Sequence, residues 1–151
     1  MDPIDLRIIE LLTQNARASY AELAQDVGLS APSTAERVRR LEERGVVRGY
    51  AALVDPSALG RDLTAFVAVS VGDRTRTRAF LAALDQLPEV VECHHVAGDD
   101  DYLLKVHVPG TRGLEELVTD RLKAIKGVTR TRTTVVLSTA IDRPVGPRER
   151  E

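Results

Sequence analysis

Residues 19–45 read SYAELAQDVGLSAPSTAERVRRLEERG, a pattern that predicts two short helices joined by a tight turn. Ser19 and Glu22 have the spacing of a capping box, so the first helix begins directly after Ser19. Gly28 ends it, because glycine readily adopts the left-handed conformation found at helix ends. Ser30 caps the second helix. Two helices on such a turn form a helix-turn-helix, whose second helix enters the DNA major groove.

The second helix has an apolar face and a polar face. Thr34, Val38 and Leu41 share the apolar face, which predicts that they pack inward. Residues 37–48 contain five arginines and two glutamates. A solvated charged face is the ordinary interpretation of such a helix, but this basic excess favours DNA. The residues expected to contact DNA are Ser33, Glu36, Arg37, Arg39 and Arg40.

Composition indicates a soluble globular chain of one or two small domains, with 151 residues, 43% hydrophobic and 29% charged. No apolar run has the length of about 18 residues that a membrane helix needs, and no leader is recognisable, so a cytoplasmic location without a membrane partner is expected. Cys93 is the single cysteine, which fits a reducing compartment. The net charge of −2 predicts weak DNA binding by a monomer. Oligomerisation would compensate by presenting several copies on one DNA.

The N-terminal region reads as a compact three-helix unit. Asp2 caps a first helix that has a proline and a carboxylate in its first turn. After the helix-turn-helix, residues 46–54 are rich in strand formers and predict a wing with a connecting strand. The turn residues 55–60 mark the expected domain boundary.

The second half contains an internal repeat of two strand–helix–strand units. Alternating apolar residues predict strands at 65–71 and 102–108, and helices are expected at 75–87 and 111–125. Two such units joined by a hairpin give βαββαβ, the ferredoxin-like fold, so the fold class is α+β. One face of its sheet lacks helices. We expect that face to carry Cys93, His95 or Val135 and to pack on a second copy.

The chain resembles the Lrp/AsnC, or feast/famine, family of bacterial transcription regulators over nearly its whole length. The segments that carry the resemblance are LAQDVGLS, RVRRLEERGVVRGY, VDPSALG, ECHHVAGDDDYLLKV and GVTRTRTTVVLS. The resemblance implies a winged helix-turn-helix over residues 1–60 and an effector-binding and oligomerisation domain over 61–142. The composition of the remaining residues, 143–151, predicts a disordered tail. It also implies homodimers that assemble further into tetramers or octamers, an amino-acid effector and no cofactor. The resemblance also offers an alternative to a DNA contact for Arg37, because the family's arginine near this position braces the helix.

The resemblance places the effector where dimers meet, between the hairpin loop and the last strand. The corresponding residues here are Gly98, Asp99, Asp100, Asp101, Tyr102, Ser138 and Thr139. An amino acid needs an anion for its ammonium group, and Asp101 can supply it, while hydroxyl and amide donors hold its carboxylate. The family usually has an aromatic or apolar residue at the place of Asp100. We therefore expect a ligand with a polar or basic side chain, since adjacent carboxylates repel one another and favour a cation.

Other interpretations stay open at this stage. The GDDD stretch is also ordinary turn sequence. A metal site at Cys93, His94 and His95 is disfavoured because neighbouring strand residues point to opposite faces. The two-domain arrangement also resembles some haem-pathway decarboxylases, but an enzyme has no need for Arg37 and Arg40 on an exposed helix. A ligand-free protein that wraps DNA is a third alternative. We expect a DNA-binding transcription regulator and no enzyme.

Overall fold

The computed structural model describes residues 1–72 and 74–147, and the chain divides into two compact units. Met1–Leu53 and the segment that begins at Ile141 form one unit, and Val54–Ala140 forms the other. The predicted domain limits of 1–60 and 61–142 stay predictions. Residues 148–151 of the predicted disordered tail lie outside the described residues.

The first unit contains three helices whose ends follow the sequence signals. They are α1 (Pro3–Gln14), α2 (Tyr20–Val27) and α3 (Ala31–Glu43). Capping boxes begin α1 at Asp2 and α2 at Ser19, and Ser30 caps α3. Gly28 ends α2 with φ of +69°, a left-handed conformation that favours glycine. The predicted helix-turn-helix is therefore confirmed.

One apolar face from each helix forms the core of this unit. Its fully buried members are Ile8, Leu12, Leu23, Val38 and Leu41. Thr34 is also fully buried, and its hydroxyl donates to the carbonyl oxygen of Ser30 over 3.1 Å. This bond satisfies the Thr34 hydroxyl inside the core. The burial of Val38 and Leu41 on the same side leaves the opposite face of α3 outward.

The wing predicted at residues 46–54 is not observed. This segment contains no β-strand. A strand needs a neighbour for its N–H and C=O groups, and all four strands of the described chain belong to the sheet of the second unit. Residues 46–54 have the composition of a strand, but no neighbouring strand is available to this segment in the described part of the single chain.

The second unit has the predicted βαββαβ order. A short 3₁₀ helix, Pro56–Leu59, precedes it, and its elements are β1 (Leu63–Val71), α4 (Thr77–Leu84), β2 (Val90–His95), β3 (Tyr102–Val108), α5 (Gly110–Glu115) and β4 (Val128–Val135). The helices are shorter than predicted, because a 3₁₀ turn (Arg74–Arg76) precedes α4 and a π-helix (Glu116–Leu122) continues α5. The sheet order is β2-β3-β1-β4, with every pair antiparallel. The predicted ferredoxin-like α+β fold is confirmed.

Side chains on one face of the sheet pack under the helices and form the second core. They include Ala65, Val67, Val69, Leu104 and Val106, all of them fully buried with Phe80 and Leu117. The other face, here called the open face, carries the alternate residues of each strand. Examples are Phe66, Leu103, Lys105, His107, Arg130 and Arg132.

The prediction that Cys93, His95 and Val135 lie on the open face is wrong. Residues opposite one another in an antiparallel pair share a face. Cys93 pairs with Leu104, His95 with Tyr102, and Val135 with Ala65, which are all helix-side residues. A register shift between Val90 and Glu92 changes the alternation along β2. One extra residue in a strand is enough to move the following side chains to the other face.

Candidate functional site

The N-terminal end of α3 forms a shallow concave surface that holds most of the predicted DNA contacts. It is lined by Leu29, Pro32, Ser33, Glu36, Arg37 and Arg40. The Ser30 hydroxyl donates to that of Ser33 over 2.9 Å, so the cap of the helix orients the first polar side chain of this surface. Four of the five predicted residues therefore lie together. Arg39 is exposed and does not line the concavity.

Arg37 is held by the first helix. Its Nη1 donates to Asp2 over 2.6 Å and to Asp5 over 2.7 Å, the two carboxylates of the α1 capping box. The hydrogen bonds to Asp2 and, next in size, to Asp5 raise the pKa of Arg37. The pKa of Asp2 is lowered mainly by its bond from the backbone N–H of Asp5 and, next, by its bond from Arg37. The structure therefore gives Arg37 the bracing role that was its alternative interpretation, since it fastens α3 to α1.

Arg40 and Arg39 are joined to Glu36 by exposed ion pairs. Glu36 accepts from Arg39 Nη2 at 2.7 Å and from Arg40 Nε at 3.2 Å, and Arg39 also pairs with Glu43. Arg40 is the most exposed of these side chains, at 64%. Exposed pairs of this kind contribute little to stability. Both arginines can therefore exchange their carboxylate partner for a phosphate at small cost.

The hairpin loop between β2 and β3 is folded over the end of β1 by Asp101. The carboxylate of Asp101 accepts the N–H of Val71 at 2.7 Å, and its own N–H donates to the carbonyl of Val69 at 3.0 Å. Its carbonyl accepts the N–H of Val96 at 2.9 Å. Gly98 has φ of +136°, which allows this tight path. The loop is thus a defined structure, and one oxygen of Asp101 is already occupied.

Asp100 is buried and neutralised by the protein itself. Only 5% of its side chain is exposed, and it accepts from the Ser70 hydroxyl at 3.0 Å, Arg130 at 3.0 Å and Arg132 at 2.8 Å. Ser70 first, and then the two arginines, hold the pKa of this carboxyl below its ordinary value against the effect of burial. The expectation that Asp100 favours a basic ligand therefore loses its physical basis, because two internal cations already balance its charge.

A cavity of about 330 Å³ lies on the helix side of the same loop. It is lined by Val71, Thr77, His95, Asp101 and Tyr102. The ring of Tyr102 lies 5.0 Å from that of Phe80 and 5.1 Å from that of His95, so its orientation is fixed by packing. The cavity combines an aromatic wall with a carboxylate, a hydroxyl and an imidazole. Two predicted effector residues, Asp101 and Tyr102, line it, whereas Gly98, Asp99 and Asp100 do not.

Ser138 and Thr139 do not join this loop within one chain. Both follow the end of β4 at Val135 and are exposed, so their assignment to the last strand is wrong. The N–H of Val136 bonds the carbonyl of Thr64, near the start of β1. The hairpin loop is bonded near the other end of β1, about 20 Å of strand away. These two hydroxyls can meet the loop only if another chain supplies them.

The candidate metal ligands of the sequence do not converge. Within residues 1–72 and 74–147, no three His, Cys, Asp or Glu side chains are placed to hold a metal ion. Burial raises the pKa of the Cys93 thiol, which makes it a poorer nucleophile. In the same ranges no helix is long and apolar enough to cross a bilayer.

The two units together define a two-domain transcription regulator, with a helix-turn-helix and a separate α+β domain. Residues 1–42 match the AsnC-type helix-turn-helix domain, and residues 64–145 match the Lrp/AsnC ligand binding domain. The chain belongs to the Lrp/AsnC family of transcriptional regulators, so the predicted family is confirmed.

Relatives and solved structures agree with this assignment. The chain is 42% identical over 139 residues to the HTH-type transcriptional regulator LrpA of Mycobacterium tuberculosis, covering 92% of this chain and 91% of the relative. A transcriptional regulator of Neisseria meningitidis, solved in complex with L-Met, is 31% identical and covers 97% of this chain and 96% of its own, with a TM-score of 0.92. The feast or famine regulatory protein of M. tuberculosis, complexed with L-methionine, is 41% identical over 97% and 99% of the two chains, with a TM-score of 0.88. These relatives are regulators and not enzymes.

Proposed function

We propose that this chain is a sequence-specific, oligomeric DNA-binding regulator whose activity is modulated by an amino acid. The observation that carries the DNA-binding part is the placement of Ser33, Glu36 and Arg40 on one outward surface of α3. Base edges are read by side chains at the start of a recognition helix, and exposed arginines also bind phosphates. Arg37 supports this surface from behind through Asp2 and Asp5, so its contribution to DNA binding is one of positioning. A protein that acts on chromosomal DNA in this way works in the bacterial cytoplasm.

The amino-acid effector is proposed to occupy the cavity beside Tyr102. Its volume of about 330 Å³ lies within the usual range for small-molecule sites. The second carboxylate oxygen of Asp101 can accept a bond from an ammonium group, and Thr77 offers a hydroxyl for the carboxylate. Two relatives have been solved in complex with L-methionine. An apolar side chain would pack against Tyr102 and Val71.

The complete effector site is proposed to lie where dimers meet. Gly98 and Asp99 are exposed beside the cavity, and Ser138 and Thr139 are exposed at the opposite end of the sheet. One chain cannot bring these two groups together, whereas an assembly of several copies can. The half-buried side chains of Phe66 and Leu103 on the open face supply apolar area for a homodimer, and dimers then associate into tetramers or octamers.

Calorimetric titration of the full chain with each of the twenty amino acids tests the effector proposal. Asp101→Asn keeps an oxygen for the Val71 N–H but removes the negative charge, so we expect at least tenfold weaker binding of the preferred amino acid. Asp120→Asn, a change on an exposed helix position, is the matched control and should bind as the parent does. If Asp101→Asn binds the preferred amino acid as tightly as Asp120→Asn and the parent protein do, Asp101 does not belong to the site. The absence of heat with all twenty amino acids, together with salt-sensitive DNA binding, would instead favour a ligand-free DNA-wrapping protein.

A further inference from the structure

His107 lies on the open face of the sheet, on the inner strand β3. Its ring Nδ1 is 2.9 Å from the hydroxyl oxygen of Thr64, the residue opposite it on β1. A hydroxyl can donate or accept a hydrogen bond, so this contact orients the ring without selecting its charge. The side chain is half-buried in one chain, which leaves part of the ring for a contact outside it.

The charged groups around this imidazole oppose its protonation. Burial first, and then the cations Lys105 and Arg61, lower the pKa of His107, against a smaller opposite effect of Glu92. Lys105 is the alternate residue of the same strand, so it shares the face of His107. The carboxylate of Glu92, on β2, is already bonded to Lys105 at 3.3 Å and to His94 at 2.9 Å.

The segment before β2 gives His107 no counter-charge either. Glu89 contacts it through the backbone, where the N–H of His107 donates to the Glu89 carbonyl over 2.9 Å. The Glu89 carboxylate is instead bonded to Arg121 at 2.6 Å. Arg61 donates to the neighbouring carbonyl of Pro88 over 2.8 Å, which holds its positive charge near the bottom of β1 and β3. His107 is therefore a neutral imidazole at neutral pH.

A second copy packed on the open face removes the remaining water from this ring. The inference rests on the homodimer proposed above, in which two open faces meet. In a two-fold symmetric pair each copy contributes the same residues, so two His107 rings are buried together. Burial penalises the charged form of an imidazole, and the cations of its own chain add to that penalty. The dimer therefore holds fewer protons on His107 than two separate chains do.

We propose that His107 makes the homodimer sensitive to pH, so that the dimer is stable while both imidazoles are neutral and dissociates when they are protonated. By linkage, a histidine whose pKa is lower in the dimer than in the separate chain favours association fully above the pKa of the separate chain. As the pH falls below that value, the association constant decreases by up to about 100-fold per pH unit, because dissociation takes up two protons. Dissociation also lowers the affinity for DNA, since a single chain carries one recognition helix.

Analytical ultracentrifugation of the full chain at constant ionic strength tests this inference. We expect the dissociation constant of the dimer to rise at least about tenfold between about pH 8 and about pH 5.5. Circular dichroism at each pH limits the comparison to the range in which the chain stays folded. His107→Gln keeps a polar side chain that is never charged, so it should remove most of the pH dependence. His94→Gln is the matched control, because His94 lies on the same face but is 58% exposed and bonded to Glu92, and it should behave as the parent does.

The outcomes separate this inference from the homodimer itself. A parent protein that is monomeric at about pH 8 would contradict the homodimer and the inference with it. A dimer whose dissociation constant does not rise in acid, or rises equally in His107→Gln, would overturn the role of His107 alone. If His107→Gln does not form dimers, nuclear magnetic resonance of the parent gives the pKa of His107 above and below the dissociation constant. That pKa should be lower in the dimer, and equal values would overturn the inference.

Discussion

Substitution of Leu41 by alanine should unfold the helix-turn-helix unit selectively. Leu41 is 1% exposed and packs in the core that fastens α3 to the other two helices. Truncation of a buried leucine to alanine costs about 2–5 kcal/mol. A unit the size of Met1–Leu53 has a free energy of unfolding of roughly 3–8 kcal/mol at ordinary stability per residue. The substitution therefore removes a large share of the stability of this unit and, with it, DNA binding.

Hydrogen–deuterium exchange followed by mass spectrometry measures this effect in each unit separately. Amides of α3 that exchange through unfolding should exchange about thirtyfold faster or more in Leu41→Ala, which corresponds to the lower end of the expected cost. Amides of β1 and β3 should be unchanged. Leu53→Ala is the matched control, because Leu53 is 89% exposed and surface changes usually alter stability by less than about 0.5 kcal/mol. Equal acceleration in both units would refute the idea that they are stabilised separately.

Three further outcomes follow from the ion pairs and hydrogen bonds of the first unit. Arg40→Ala should weaken binding to a preferred DNA sequence by about 1–3 kcal/mol if Arg40 contacts a base. If Arg40 contacts phosphate instead, the substitution should weaken binding to all DNA sequences equally. Unchanged binding in a mobility-shift assay would exclude Arg40 from the interface. The pKa of Asp2 is lowered in the folded protein, so the stability that its carboxylate contributes is complete above pH 3.8 and is lost as the pH falls through the lower folded value. Acid unfolding of Arg37→Gln, followed by circular dichroism, should therefore begin at a higher pH than that of the parent protein. An identical acid transition in the two proteins would contradict this expectation. Burial first, and then the hydrogen bond to Glu42, raise the pKa of Tyr50 to about 12. Glu42→Gln should therefore lower the pKa of Tyr50 in a spectrophotometric titration. An unchanged titration curve would show that the bond to Glu42 has no effect on this pKa.

Local sequence signals predicted the helices of the first unit because each signal acts within a few residues. The caps at Ser19 and Ser30 and the turn at Gly28 depend on neighbouring backbone groups alone. The burial of Thr34 and Leu41 follows from the spacing of one helix. The order of the second unit was likewise predictable, because alternation in its strands and the repeat of its two halves fix the topology.

The contacts that define the candidate sites depend instead on distant parts of the chain. Asp100 lies 30 residues from Ser70 and from Arg130, so a loop sequence of three carboxylates gave no sign that one of them would be buried and neutralised. Alternate arginines in the segment TRTRT were the one available signal, since they had to share a face of the last strand. The register shift in β2 also had no signal in the sequence, and this shift places Cys93 and His95 on the helix side of the sheet instead of the open face. Arg37 was ambiguous because the same guanidinium suits a phosphate or the carboxylates of α1.

Selection of binding sites from a random duplex library by the full-length protein tests the central claim most directly. Paired recognition helices in a dimer should enrich a loose palindrome whose half-sites lie about one helical turn apart. Addition of the preferred amino acid should change the affinity for that sequence or the number of sites occupied on it. Recovery of no preferred sequence at low salt, or of a single unpaired half-site bound by a monomer, would contradict the account.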